Sequence, residues 1–225
     1  MPKGPPPSEK RLVLENISWQ QYEALLFDLN RDRRARLTYA HGRLEMMTPL
    51  QEHERCHKLV ESFILVLADE MNLAVEGFEA PTLKRLDLQL GTEPDTAYYI
   101  QQARQMRGHT HIDLMADPSP DLILEVSLNK STIDKFPLYA AMGIPEVWRY
   151  VSKPGEDFFK GVFQIFCIEA DHYHETETGY AFPFLPVGQI RLFIDQSDTL
   201  GLMSALRTLR QWVADNHGKP KQGYP

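Results

Sequence analysis

Most of the chemistry legible in this sequence rests on Asp95, Glu125 and Lys135. Asp95 follows Glu93-Pro94 and opens Thr96-Ala97-Tyr98-Tyr99-Ile100, whose aromatic and β-branched side chains fit a pleated, half-buried strand. Glu125 stands inside Pro120-Asp121-Leu122-Ile123-Leu124-Glu125-Val126-Ser127, an apolar run short and sharply bounded enough to be a buried strand. An ionised carboxylate in such a strand is costly unless it is paired or binds a metal. The chain therefore either buries a partner beside Glu125 or builds a site there, and Lys135 is available as that partner or as part of the site.

The elements that must position these groups are read from periodicity. Ser18 and Gln21 have the capping-box spacing, and Trp19, Tyr22, Leu25, Leu26 and Leu29 recur at helical intervals, so a first helix is expected to about Asn30. Residues 37–40 and 43–47 read as a β-hairpin turned at His41-Gly42. Glu45 there faces away from Leu44 and Met46, toward solvent or toward a site. Residues 52–72 read as a long amphipathic helix with Leu59, Val60, Phe63, Ile64, Leu67 and Met71 inward. Further strands are expected over 75–84, 145–151 and 162–168. The last two flank the Lys-Pro-Gly-Glu-Asp turn as an antiparallel extension, and residues 180–187 read as irregular. Short helices are expected over 101–107 and from Ile133 to Gly143, and a closing helix over 200–213. His109-Thr110-His111 and His172-Tyr173-His174 read as exposed loops.

The motifs together resemble a known family. Glu93-Pro94-Asp95, the run from Pro120 to Val126, and the segment from Asn129 through Lys135 to Gly143-Ile144-Pro145-Glu146-Val147-Trp148-Arg149-Tyr150 are similar to the Uma-type restriction endonuclease family of the PD-(D/E)XK nuclease superfamily. The likeness runs from about Trp19 to about Leu185. It implies a restriction-endonuclease-like α/β fold, a mixed sheet flanked by helices, with the hairpin at its N-terminal side. It also implies phosphodiester hydrolysis of DNA, with Mg²⁺ or Mn²⁺ held by Asp95 and Glu125 and assisted by Lys135. Glu45 and His53 carry over as auxiliary metal-binding or water-orienting groups. The sequence departs from the superfamily pattern two residues after Glu125, where Ser127 replaces the motif's lysine. The expectation is that Lys135 stands in for it, with Lys84 as rival and Lys130 in a loop.

Two other readings compete. A nuclease fold without catalysis would serve as a binding module for nucleic acid or protein. His53-Glu54-Arg55-Cys56-His57 matches the H-E-x-x-H pattern of zinc peptidases, with Glu76 and Glu79 as conceivable third ligands. No counterpart of His57 belongs to the resemblance, which favours coincidence.

A chain of 225 residues with 43% hydrophobic content supports one sizeable domain, placed at 15–216 between a Pro-rich, disordered lead-in over 1–14 and a flexible tail over 217–225. A net charge of -7 argues against gripping duplex DNA through the whole surface; Arg31-Asp32-Arg33-Arg34-Ala35-Arg36 is a compact basic patch, read as a solvated loop. Cys56 and Cys167 match no metal or redox spacing, which implies free thiols and the cytoplasm. No apolar run approaches the roughly 20 residues that cross a bilayer. Cutting both strands of a duplex suggests a homodimer, with residues 180–187 as a candidate contact.

Overall fold

The computed structural model describes residues 9–29, 34–127, 131–152 and 158–217. In chain order these form β1 (Lys10–Leu14), α1 (Trp19–Leu29), β2 (Arg36–Ala40), β3 (Arg43–Thr48), α2 (Gln51–Met71), β4 (Glu76–Glu79), β5 (Leu83–Arg85), β6 (Leu90–Thr92), β7 (Thr96–Tyr99) and α3 (Ala103–Met106). There follow β8 (Leu122–Ser127), α4 (Phe136–Ala141), β9 (Glu146–Val151), β10 (Val162–Glu169), β11 (His172–Thr176), α5 (Val187–Thr199) and α6 (Leu202–His217).

The strands sort into two sheets, ordered β1-β3-β2-β6-β5 and β11-β10-β9-β8-β7-β4. The larger sheet is mixed: β8 runs antiparallel to β7 and parallel to β9, so it lies inside the sheet and is covered on both faces. Alternation along β8 sends Leu122, Leu124 and Val126 into the core shared with α2, α5 and α6, and Ile123 into a second core with Leu138 and Tyr139 of α4 and Met142 just beyond it. Glu125 shares the Ile123 side. A third core packs α1 on the smaller sheet through Trp19, Tyr22, Leu37, Tyr39 and Leu44.

Local chemistry explains the elements that match expectation. Ser18 Oγ accepts from the Gln21 N–H at 3.2 Å while the Ser18 N–H donates to Gln21 Oε1 at 2.7 Å, which caps α1 reciprocally. His41 and Gly42 have φ of 47° and 84°, the left-handed pair that a two-residue hairpin between Ala40 and Arg43 requires. Leu59, Val60, Phe63, Ile64 and Leu67 make one buried stripe on α2, with Met71 packed at its margin.

Four expectations are corrected. Lys10–Leu14 belongs to β1, paired along its length with β3, so the disordered lead-in does not extend to residue 14; Met1 to Ser8 lie outside the described residues. The strand over 75–84 is two strands in different sheets, parted where Ala80 takes a φ of 45° and Pro81 has no N–H to give a ladder. The helix expected from Ile133 begins at Phe136, with Lys135 as its cap. His172-Tyr173-His174 is edge strand β11, although both imidazoles are exposed. Residues 180–187 are irregular as expected; Phe182, Leu185 and Val187 fill the core while Tyr180 keeps an exposed ring. Helix α5 and strand β6 had no expectation of their own. Residues 31–33 of the basic patch, Lys130, the turn at 153–157 and the tail at 218–225 lie outside the described residues.

Candidate active site

The β7–β8 register pairs Thr96 with Leu124, which brings Asp95 and Glu125 to the same end of neighbouring strands. Asp95 is 4% exposed. Its Oδ2 accepts from the N–H of Val126 at 2.7 Å, and its Oδ1 accepts from His53 Nε2, also at 2.7 Å. Lys135, where the chain enters α4, donates through Nζ to both oxygens of Glu125 at 2.8 and 3.1 Å and to the Glu93 carbonyl at 3.3 Å. Tyr139, one helical turn further on, donates its hydroxyl to Glu125 Oε1. The rival amine, Lys84, pairs with Glu23 at 2.7 Å on the exposed surface.

His53 reaches Asp95 from α2, and its other ring nitrogen bonds Glu9 Oε1 at 3.1 Å. Glu9 Oε2 accepts from Arg11 at 2.7 Å, and Arg11 also donates to Glu45 Oε1 at 2.6 Å. Glu45 is buried, so the solvent-facing alternative is set aside. Its oxygens accept from Ser131 Oγ at 2.7 Å, from the Thr132 N–H at 2.7 Å and from the Thr132 hydroxyl. Glu45 thus holds the segment that leads to Lys135, and a chain of bonds through Arg11, Glu9 and His53 connects it to Asp95. The buried Glu93 side chain accepts from the Leu37 N–H at 2.8 Å and from Thr82 Oγ1 at 2.7 Å, fastening the site to β2 and to the approach of β5.

Charge sorts these groups. Burial works against protonation of His53, but the Asp95 and Glu9 carboxylates on either side outweigh it and raise its pKa to about 10. Burial would raise Asp95, yet the His53 charge and hydrogen bond, Lys135 and the Val126 N–H hold it well below the carboxylate range. Glu125 moves the other way, because burial and the nearby Asp95 charge outweigh Lys135 and Tyr139. Two neighbouring carboxylates whose affinities for protons are driven apart are a mark of chemical sites. Their hard oxygen donors suit Mg²⁺ or Mn²⁺, which take one or two carboxylates and complete their shell with water and phosphate oxygens.

The zinc reading finds a different arrangement. Both nitrogens of His53 face carboxylates, and His57 bonds Thr96 Oγ1. Glu76 pairs with Arg107 at 3.3 Å. Among the described residues no three His, Cys, Asp and Glu side chains are arranged to hold a metal ion, as a structural or peptidase zinc requires.

Sequence reasoning missed Glu9, Arg11, Arg36 and Tyr139. Tyr139 had a usable signal, one helical turn beyond Lys135, whereas Glu9 sits beside a proline-rich start that reads as a leader.

A mixed sheet with two carboxylates at adjacent strand ends and a lysine between them defines an α/β protein of restriction-endonuclease-like architecture. The family model Uma2, described as "Putative restriction endonuclease", matches residues 19–179, and the chain belongs to that family. No curated protein matches the chain. Among solved structures it is similar to "a putative nuclease belonging to DUF820 from Anabaena variabilis ATCC 29413", at 14% identity and a TM-score of 0.46, covering 84% of this chain and 99% of that one.

Proposed function

We propose that the protein is a metal-dependent endonuclease that hydrolyses phosphodiester bonds of DNA, with Asp95 and Glu125 holding Mg²⁺ or Mn²⁺ and Lys135 assisting. The observation that carries this reading is the Lys135 ammonium, 2.8 Å from Glu125 Oε1, on a strand whose next N–H binds Asp95. A bound cation would lower the pKa of a water and neutralise charge on the phosphoryl oxygens. His53 and the Val126 N–H keep Asp95 ionised and fixed, and Tyr139 orients Glu125. Lys135 is placed to hold a proton beside the attacking oxygen or to stabilise charge that develops on the phosphate.

Neither Cys56 nor Cys167, both buried, forms a disulfide, which supports a reducing, cytoplasmic setting, and no helix of the described residues is long and apolar enough to cross a membrane. Cleavage of both strands favours a two-fold dimer, tested by light scattering; a monomer at every practical concentration argues against it.

The test is cleavage of supercoiled and linear DNA in Mg²⁺ or Mn²⁺. Asp95→Ala and Glu125→Ala are expected to abolish it, and Lys135→Ala to lower it by about two orders of magnitude while metal binding survives. Lys135→Ala with Ser127→Lys should restore part of the loss, because position 127 shares the face of Glu125. Metal binding without cleavage by the wild type would instead leave a binding module.

A further inference from the structure

A cleft of about 400 Å³ is lined by Arg36, Phe78, Glu93, Thr110, His111 and Ile112 among others, and Arg36 links it to Asp95. Arg36 begins β2, and its Nε lies 4.0 Å from Asp95 Oδ1, beyond hydrogen-bond reach. That Nε is buried with no hydrogen-bond partner among the described residues. A buried N–H without a hydrogen bond is unfavourable, and Asp95 gives this guanidinium an ion pair but no hydrogen bond, so an acceptor that arrives from outside would complete it.

We propose that this cleft receives one nucleotide of the DNA strand being cut, with its phosphate gripped by Arg36. The identity of the strand rests on the nuclease reading above. Arginine presents a planar fork of donors that matches phosphate oxygens, and this one lies at the edge of the carboxylate pair. Of the acids lining the cleft, Glu93 accepts from Leu37 and Thr82, Glu76 pairs with Arg107, and Glu79 lies at the exposed rim. Phe78 supplies an apolar lining group, and the exposed loop through Thr110 and His111 another wall. The volume falls near the low end of small-ligand sites, roughly 300–1,000 Å³, which suits one nucleotide rather than a base pair. On a chain of net charge -7, a single well-placed cation also limits phosphate binding to this locality. A phosphate held at Arg36 would set the register of the strand across Asp95 and Glu125.

The test is binding of a short fluorescent single-stranded oligodeoxynucleotide in EDTA, read by anisotropy, so that no cleavage is needed. Arg36→Gln is expected to weaken binding by about tenfold or more and to lower the salt dependence by about one counterion. Thr110→Trp, which fills the cleft from an exposed loop, should weaken binding without touching Arg36. Under Mn²⁺, both variants should raise KM more than they lower kcat. Wild-type affinity in both variants, or no binding by the wild type, would overturn the proposal. Weakened binding with no cleavage by the wild type would sink the catalytic reading and keep the cleft. Normal cleavage with unchanged KM in both variants would sink the cleft alone.

Discussion

His53 lies between two acids on a helix that also carries the core stripe, and its position makes stability depend on pH. Its folded pKa of about 10 exceeds the roughly 6.5 of an unfolded imidazole, so between these values the folded state holds a proton that the unfolded state has released. The stabilisation is complete below about pH 6.5 and drains away as pH rises toward 10. Urea denaturation in EDTA should show this alkaline loss, of the order of a few kcal/mol, and His53→Gln should flatten it. A variant that keeps the wild-type slope would refute the assignment. Glu45 acts at the other end of the scale. Burial raises its pKa, but the bonds from Thr132 and Ser131 and the Arg11 charge outweigh burial and lower it. Its contribution is present above the ordinary carboxylate value and lost as pH falls through the lowered one, so Glu45→Gln should lessen the acid sensitivity of the segment that leads to Lys135. At this scale the sequence was informative about types and poor about partners. Glu125 stood out because an acid in an apolar strand is anomalous. Nothing along the chain revealed that Glu9 and Glu45 are joined through Arg11, since those contacts depend on how β1 pairs with β3.

Elements whose periodicity is strong were legible, and short strands such as β1 and β6 were not. The stripe of α2, the reciprocal cap of α1 and the His41-Gly42 hairpin each rest on interactions within one stretch of chain. Strands β5 and β6 have three residues each, too few for alternation to register, and α5 carries Gln189 and Ser197 among its buried positions. Strand β1 has a larger role than its length suggests, because it brings both Glu9 and Arg11 to the polar cluster. Arg11→Met should cost about 2–4 kcal/mol in urea denaturation, as it takes a half-buried cation from two buried carboxylates. A loss below about 1 kcal/mol would mean that Arg11 is an ordinary surface arginine. The packing of α1 on β6 offers a second test. A Cβ at Gly91 would come within 2.2 Å of the Tyr22 hydroxyl, and Tyr22 is stacked on Tyr39 at 4.9 Å. Gly91→Ala is therefore expected to destabilise by about 1–3 kcal/mol, measured as a lower Tm.

At the scale of the molecule, class and topology differ in legibility. Mixed α/β content follows from segment patterns, but the division into two sheets does not, because the pairing of β2 with β6 and of β7 with β8 joins stretches far apart in sequence. The chain passes from one sheet to the other at Ala80-Pro81, where the Ala80 N–H bonds the carbonyl of Asp95 at 2.8 Å. The central place of β8 has a consequence for the life of the protein on the ribosome. Asp95, Glu125 and Lys135 are all synthesised before β9, the parallel neighbour of β8, has been made. A nascent chain that ends before Glu146 holds every proposed reactive group but lacks the strand that closes the sheet over Glu125. Distant pairings of this kind form late, after long loops have closed. On the proposed nuclease reading, a fragment of residues 1–145 should accordingly leave DNA intact at concentrations where the whole chain is expected to cut it, so that reactivity emerges only after β9 has joined the sheet.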